Sequence, residues 1–365
     1  MTPEFSPYTP TLAVRPGDRM QVTGMPQPWM APDTVDQLLL GIDQSITHFE
    51  HRLTFTCAPA SPYTVGVLDD GESRIDTDGS ELLEAVSSSD TELTVVPSPG
   101  EVTLWTLDSA DWPFDIRMGG EVATVTAVAD WLSDAFGRSV SNGWGTSDSG
   151  QAWSTGGGTA ADYAVGSGVG SHTLATVGAS RRNFTEAGFP DFDYQGDITT
   201  SATATGGSLF GGLTGRYFDS VNLYTARIEF TTGNALILSL RKIVGGTETQ
   251  LATYSLPDVY TPGVFVRIRF QITGARLRAK AWLATDIQPD WQISATDGAI
   301  STSSLIGARS ITSGANTNVN PVVSYDNLRV LNPQTLTVTR SVNGVVKAHD
   351  AGAGLELAVP TTLAL

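Results

Sequence analysis

Cysteine occurs once in the 365 residues, at Cys57, which excludes an intrachain disulfide framework and leaves a thiol expected to be a small core residue. The four histidines, His48, His51, His172 and His349, have no metal-ligand spacing, and no His-Glu-x-x-His is present. Positive charge is scarce: 21 Lys plus Arg stand against 38 Asp plus Glu, a net charge of -17 that repels phosphate backbones and argues against a nucleic-acid partner. No apolar run reaches the roughly 18 residues that span a bilayer. Met1 is followed by Thr, Pro and Glu rather than by a basic and then an apolar region, so neither a signal peptide nor a membrane anchor is expected. Gly-x-Ser-x-Gly and the phosphate loop are missing, and the glycine-rich 166–170 lacks the helix and distal acid of a dinucleotide site.

What the chain does have is the pattern of β-structure. Hydrophobic residues make up 40% and glycine fills 38 positions, a composition for packed domains joined by tight turns. Alternation with period two outnumbers helical periodicity, and turn signals recur roughly every 8 to 12 residues. The predicted class is all-β, with small β-barrel-like modules and an inserted β-sandwich. The seam lies where residues 118–128 alternate as a strand and 335–342 alternate again, ending in the turn Asn343-Gly344. Each flank is too short to bury a core, so the two read as pieces of one module. Charge changes at the same boundaries: 131–331 has 14 Lys plus Arg against 15 Asp plus Glu, and the remainder has 7 against 23. The expected domains are 1–60, a split module of 61–129 and 332–365, and an insert of 130–331.

In the first segment, strands are expected around Leu12 to Arg15, Met20 to Thr23, Val35 to Gly41 and Arg52 to Cys57, with a turn at Arg15-Pro16-Gly17-Asp18. Trp29, between Pro26, Pro28 and Pro32, either plugs the end of a small barrel or touches a neighbouring subunit. Arg15-Pro16-Gly17-Asp18-Arg19 and Leu53-Thr54-Phe55-Thr56-Cys57-Ala58-Pro59-Ala60 resemble the closing part of tail-hub or minor tail proteins of long-tailed (siphovirus-type) bacteriophages. Asp76-Thr77-Asp78-Gly79-Ser80-Glu81-Leu82, Thr91 to Val95, Trp112 to Glu121 and Thr337 to His349 are similar to the terminal module of such proteins from phages of actinobacteria. The resemblance covers most of 11–128 and 334–365, although the chain starts late relative to a full hub and the terminal module is interrupted. It implies a structural protein at the virion tail tip or baseplate, assembled in the host cytoplasm, trimeric, and partnered by hub, distal-tail and tape-measure proteins. The acidic group Asp69, Asp70, Glu72, Asp76, Asp78 and Glu81 is read either as an incomplete calcium loop or, more plainly, as Ser80 or Asp78 capping a short helix through Leu82, Leu83 and Val86.

The insert opens with Ser133-Asp134-Ala135-Phe136-Gly137-Arg138, Asn142 to Gly145 and Ala152-Trp153, and closes with Val323 to Val330. These ends, with Leu277 to Trp282 between them, resemble the concanavalin-like (laminin-G-like) jelly roll of lectins and carbohydrate-binding modules. Independently of that resemblance, Leu223 to Thr231, Ala235 to Lys242, Gln250 to Ser255, Val264 to Thr273 and Ala275 to Leu283 alternate as consecutive strands, with turns at Gly233-Asn234, Gly245-Gly246 and Gly274. Pairing the last two strands would put Arg267, Arg269, Arg276, Arg278 and Lys280 beside Trp282 on one face. That face is either simply solvated or a candidate carbohydrate-binding surface for an anionic wall polymer. Trp144 and Trp153 are further candidates for stacking on a sugar ring, or else core packing. Asp134 and Asp326, near the two ends, are candidate ligands for a structural Ca²⁺; the alternative is that they bond nearby amides or Arg138 and Arg329.

Catalysis is not expected. Glycoside hydrolysis needs two carboxyl groups roughly 5 to 9.5 Å apart, but Glu229 reads as alone in its strand and Asp191, Asp193 and Asp197 as a solvated loop. The sequence therefore leads to a tail-tip protein whose insert contacts host cell-wall glycan during adsorption. The alternatives are an insert that only packs against other tail proteins, and a cell-wall polysaccharide depolymerase.

Overall fold

The computed structural model describes residues 14–22, 35–48, 50–60, 74, 79–99, 104–302, 305–358 and 360. Trp29 and, of the acidic group, Asp69, Asp70, Glu72, Asp76 and Asp78 lie outside them. The described secondary structure is all-β, with only short 3-10 turns besides the strands. The chain divides into two compact units, one of 1–129 with 335–365 and one of 130–334.

In the first unit, Arg19–Val22, Val35–Ile46 and His51–Pro59 form a three-stranded antiparallel sheet with Val35–Ile46 in the centre. Cys57 is a free thiol opposite Leu39, half-buried rather than in the core. A second group of strands runs in the order Glu92–Pro97, Ser80–Leu82, Gly354–Leu357, Phe114–Met118 and Glu121–Asp134. Their alternation buries Leu82, Val95, Ile116, Met118, Val125, Leu336, Val338 and Leu355 in one cluster, so residues on both sides of the insert build one core. The helix expected through Leu82, Leu83 and Val86 does not form. Leu82 N–H donates to Ala353 O, Leu83 N–H to Thr94 O, and Val86 bridges His349, so pairing with distant strands takes the amides that a helical turn would use. At the turn 341–344, Gly344 has a φ of 77° and donates to Ser341 O, as Asn-Gly predicts.

The second unit is a two-sheet antiparallel sandwich of the jelly-roll class. The first sheet has the order Ile293–Thr296, Arg276–Leu283, Val266–Thr273, Phe192–Thr200 and Val322–Thr339, continuing through Val169–Thr173 and Tyr163–Gly166 to Val140–Ser141. The second runs Thr247–Val259, Ala235–Val244, Asn222–Phe230, Leu209–Asp219, Leu305–Thr312, Arg181–Glu186 and Ser154–Gly156. In Val266–Thr273 every second residue, Val266, Ile268, Phe270 and Ile272, is fully buried, as period two requires of a strand with one core face. The sheets pack closely because glycine replaces side chains at the contact. A Cβ on Gly215 would fall 1.9 Å from the Phe192 ring, and one on Gly196 would fall 3.3 Å from Leu213 of the other sheet. Phe192–Thr200 is thus a buried strand, correcting the loop expected from Pro190 and Gly196; Asp193 and Asp197 lie within it.

His172 sits fully buried in this core, with Nε2 2.7 Å from Asn183 Oδ1 and Nδ1 2.9 Å from Ser310 Oγ. Because Asn183 Oδ1 can only accept, the ring proton is on Nε2 and Nδ1 accepts from the serine hydroxyl. Burial pushes the imidazole down to about 3 from 6.5; the Asn183 bond opposes this and Arg181 adds to it. The unfolded chain therefore binds a proton that the folded chain refuses between those two values, and stability should fall as pH drops from about 6.5 towards 3. The expected result for His172→Gln is a flatter acid limb over that window, read as denaturant midpoint against pH.

Candidate functional site

The structure brings the predicted basic face together and pairs two of its five cations, Arg267 and Arg269, with carboxylates. The register Arg267↔Trp282, Arg269↔Lys280, Gln271↔Arg278 and Thr273↔Arg276 puts these groups on one side of the first sheet. On the adjoining strand, Asp197 receives both forks of Arg267 at 2.6 and 2.7 Å, and Asp193 receives both of Arg269 at 2.8 Å. Lys280 and Trp282 are buried, with Lys280 Nζ donating to Pro289 O. Trp291, which the sequence reading missed, lies under three cations: Arg278 at 4.3 Å, Lys280 at 4.8 Å and Arg269 at 5.6 Å from its ring centroid. Arg276 alone of the group is exposed, beside the Gly274 turn. The expectation of a free five-cation surface thus gives way to two ion-paired arginines, with Arg278 and Lys280 held over Trp291, because the counterions come from a strand some seventy residues away in sequence, as the 70-residue Arg267–Asp197 separation illustrates.

The two tryptophan candidates are core residues. Trp144 is 0% exposed, stacks on His172 at 4.9 Å and packs edge-on against Phe136 at 5.1 Å and Trp153 at 5.4 Å, leaving no ring face for a sugar. Gly170 permits this, since a Cβ there would fall 2.6 Å from Phe136 and 2.9 Å from Trp144. Trp153 Nε1 donates to Asp134 at 2.7 Å.

Asp134 does not fit the metal role. Its Oδ1 accepts from Phe136 N–H and Arg138, its Oδ2 from Arg138 and Trp153, so a guanidinium occupies the place a cation would take and both oxygens are filled. Asp326 lies close enough to feel its charge; burial first, then Asp197 and Asp134, push the Asp326 carboxyl up, while Asn327 N–H and Arg267 oppose this. Arg329 pairs with Asp130. Among the described residues no group of three or more His, Cys, Asp or Glu has metal-binding geometry.

A second polar face went unread in the sequence. On the outer side of the second sheet, Arg182 faces Arg309, Arg309 faces Gly212, Gly212 faces Arg227 and Arg227 faces Ser239, one continuous row across five strands. Arg241 stands in the adjacent row, opposite Thr225. Glu248 is shared by three of these arginines, with Arg227 at 2.9 Å, Arg241 at 3.1 Å and Arg309 at 3.7 Å. Aromatic groups flank the row. Arg227 lies 4.2 Å over the Phe210 ring, and Phe184 and Tyr217 stack at 4.9 Å beside Leu223, Ile243 and Leu305. Burial, then Arg241, lower Arg227 to about 10, with Glu248 opposing; burial also lowers Arg309, with Arg182 and Arg241 adding to it. Glu229 is on this face as well, accepting from Ser208 Oγ at 2.7 Å. It is the only acid of its own strand, as the sequence suggested, and Glu248 reaches the same face from another.

No family model and no curated protein matches the chain. Among solved structures it is similar to the carbohydrate-binding module CBM66 from Bacillus subtilis, at 19% identity over 48% of this chain and 92% of that one, with a TM-score of 0.37. It is similar to the CBM2 module of the evolved Dit of Lactobacillus casei BL23 phage J-1, at 10% identity over 58% and 97%, with a TM-score of 0.38. A Bacillus licheniformis β-glucanase matches at 12% identity over 56% and 97%, with a TM-score of 0.40.

Proposed function

We propose that the chain is a structural protein of a long-tailed phage tail tip whose inserted sandwich holds on to glycan at the host cell surface. The observation that carries the binding role is the outer face of the second sheet, where guanidinium forks lie between aromatic rings, the pairing of donors and apolar planes that saccharides use. The tail-tip role rests on the hub-like motifs of the first unit. Single contacts of this kind are weak, and symmetric copies on a virion would multiply them. The reading is of binding without cleavage: the oxygens of Glu248 are engaged by arginines and Glu229 holds a hydroxyl, so neither is placed as a free acid for a leaving group.

The test is co-sedimentation of the full chain with actinobacterial cell walls, together with the length distribution of the wall polymer afterwards. The expected result is retention on the walls with polymer length unchanged. Shortened polymer would establish hydrolysis instead, and a folded chain that stays in the supernatant would favour an insert that only packs against tail proteins.

A further inference from the structure

Arg182 and Arg309 are directly opposite each other on neighbouring strands, an arrangement that destabilises a sheet when both residues are charged. Arg227 lies two strands further along the same row. The fold provides little compensation. Nε of Arg182, of Arg227 and of Arg309 is buried in each case without a hydrogen-bond partner, and Glu248 is divided among three guanidinium groups. Unmade hydrogen bonds of buried charged groups are costly, and three along one row are not random scatter. The side chains are held in place nonetheless: Arg182 donates to Ser180 Oγ at 2.8 Å, Arg227 lies over Phe210, and Arg241 donates to Gln250 Oε1 at 2.8 Å. Gly212 and Gly307 keep the floor of the face low between these arginines; a Cβ on Gly307 would fall 1.9 Å from Asn183 O. The row is an ordered set of donors with more guanidinium groups than carboxylates: one Glu248 serves Arg227, Arg241 and Arg309, and three Nε donors remain unpartnered.

Resting on the glycan-binding reading, we propose that the row Arg182, Arg309 and Arg227, with Arg241, binds oxyanions carried by the polymer, so that the ligand is an anionic glycopolymer rather than a neutral one. Phosphodiester and carboxylate groups share the chemistry that guanidinium recognises, two acceptor oxygens for two parallel donors.

The experiment titrates the full chain with poly(glycerol phosphate), polygalacturonate and neutral dextran, at low and at high salt. Binding to either polyanion, weakened by salt, and little binding to dextran is expected; which polyanion is preferred identifies the source of the oxyanion. Arg309→Gln should lower polyanion affinity roughly tenfold or more while leaving the thermal midpoint unchanged or raised, because it relieves repulsion with Arg182; a merely structural arginine would lower the midpoint. Arg241→Gln, at a more exposed position, should lower affinity in the same direction and serves if the first variant fails to fold. Equal, salt-insensitive binding of dextran and the polyanions, or variants with unchanged affinity, would overturn the anionic assignment and leave glycan binding standing. A chain that bound none of the three polymers and no cell walls would overturn both.

Discussion

Replacing Glu121 by Ala should destabilise the first unit by about 3–5 kcal/mol, the usual effect of removing one partner of a buried ion pair. Glu121 is 0% exposed. Arg340 donates to its two oxygens at 2.7 and 2.8 Å, Ser341 N–H donates at 3.0 Å, and His349 Nε2 lies 2.7 Å away. All three partners follow the insert in sequence, whereas Glu121 precedes it. The alanine variant would leave Arg340, itself nearly enclosed, without its counterion, and would separate the two halves of the module at their polar contact. Burial alone would raise the Glu121 carboxyl, but hydrogen bonds from Arg340 and His349 more than offset it and hold the group at about 2, below its ordinary 4.5. A lowered carboxyl contributes stability that is complete above about 4.5 and is lost as pH falls towards 2. Denaturant unfolding against pH should show that loss in the wild type and not in Glu121→Ala. Matching acid limbs would contradict the assignment.

Trp144→Ala should cost the second unit about 3–5 kcal/mol, because a fully buried large aromatic is removed from contact with Phe136, Trp153, His172 and Tyr325. The hydrogen bond from its indole N–H to Ser171 O is lost as well. Chemical unfolding should report the loss, while the fraction still folded should bind polymer with wild-type affinity. Weakened binding with undiminished stability would restore the sugar-stacking role that the burial of this ring argues against.

Strands were legible wherever one face meets the core, because alternation is written locally: Val266, Ile268, Phe270 and Ile272 declare their strand without reference to its neighbours. So were the turns, since Gly245, Gly246 and Gly274 all have positive φ, where glycine carries no steric penalty. Partners across strands were not legible. The arginines at 267 and 269 looked like a binding surface because nothing local shows that Asp193 and Asp197 will lie in register beside them. The arginine row was hidden for the same reason: Arg182, Arg227 and Arg309 each occupy an ordinary outward position in a separate strand, and only the register makes them a row. The tryptophans failed as site markers because a ring suited to stacking on sugar is equally suited to a core, and the choice depends on Phe136 and His172 arriving on either side of Trp144.

The most direct test of recognition by the second sheet is hydroxyl-radical footprinting of the full chain, free and bound to soluble cell-wall polymer. Phe184 and Phe210, on the arginine face, are expected to be protected on binding, and Trp291, on the charge-paired face of the first sheet, to react as before. Protection of Trp291 with no change at Phe184 and Phe210 would contradict the account and return recognition to the first sheet.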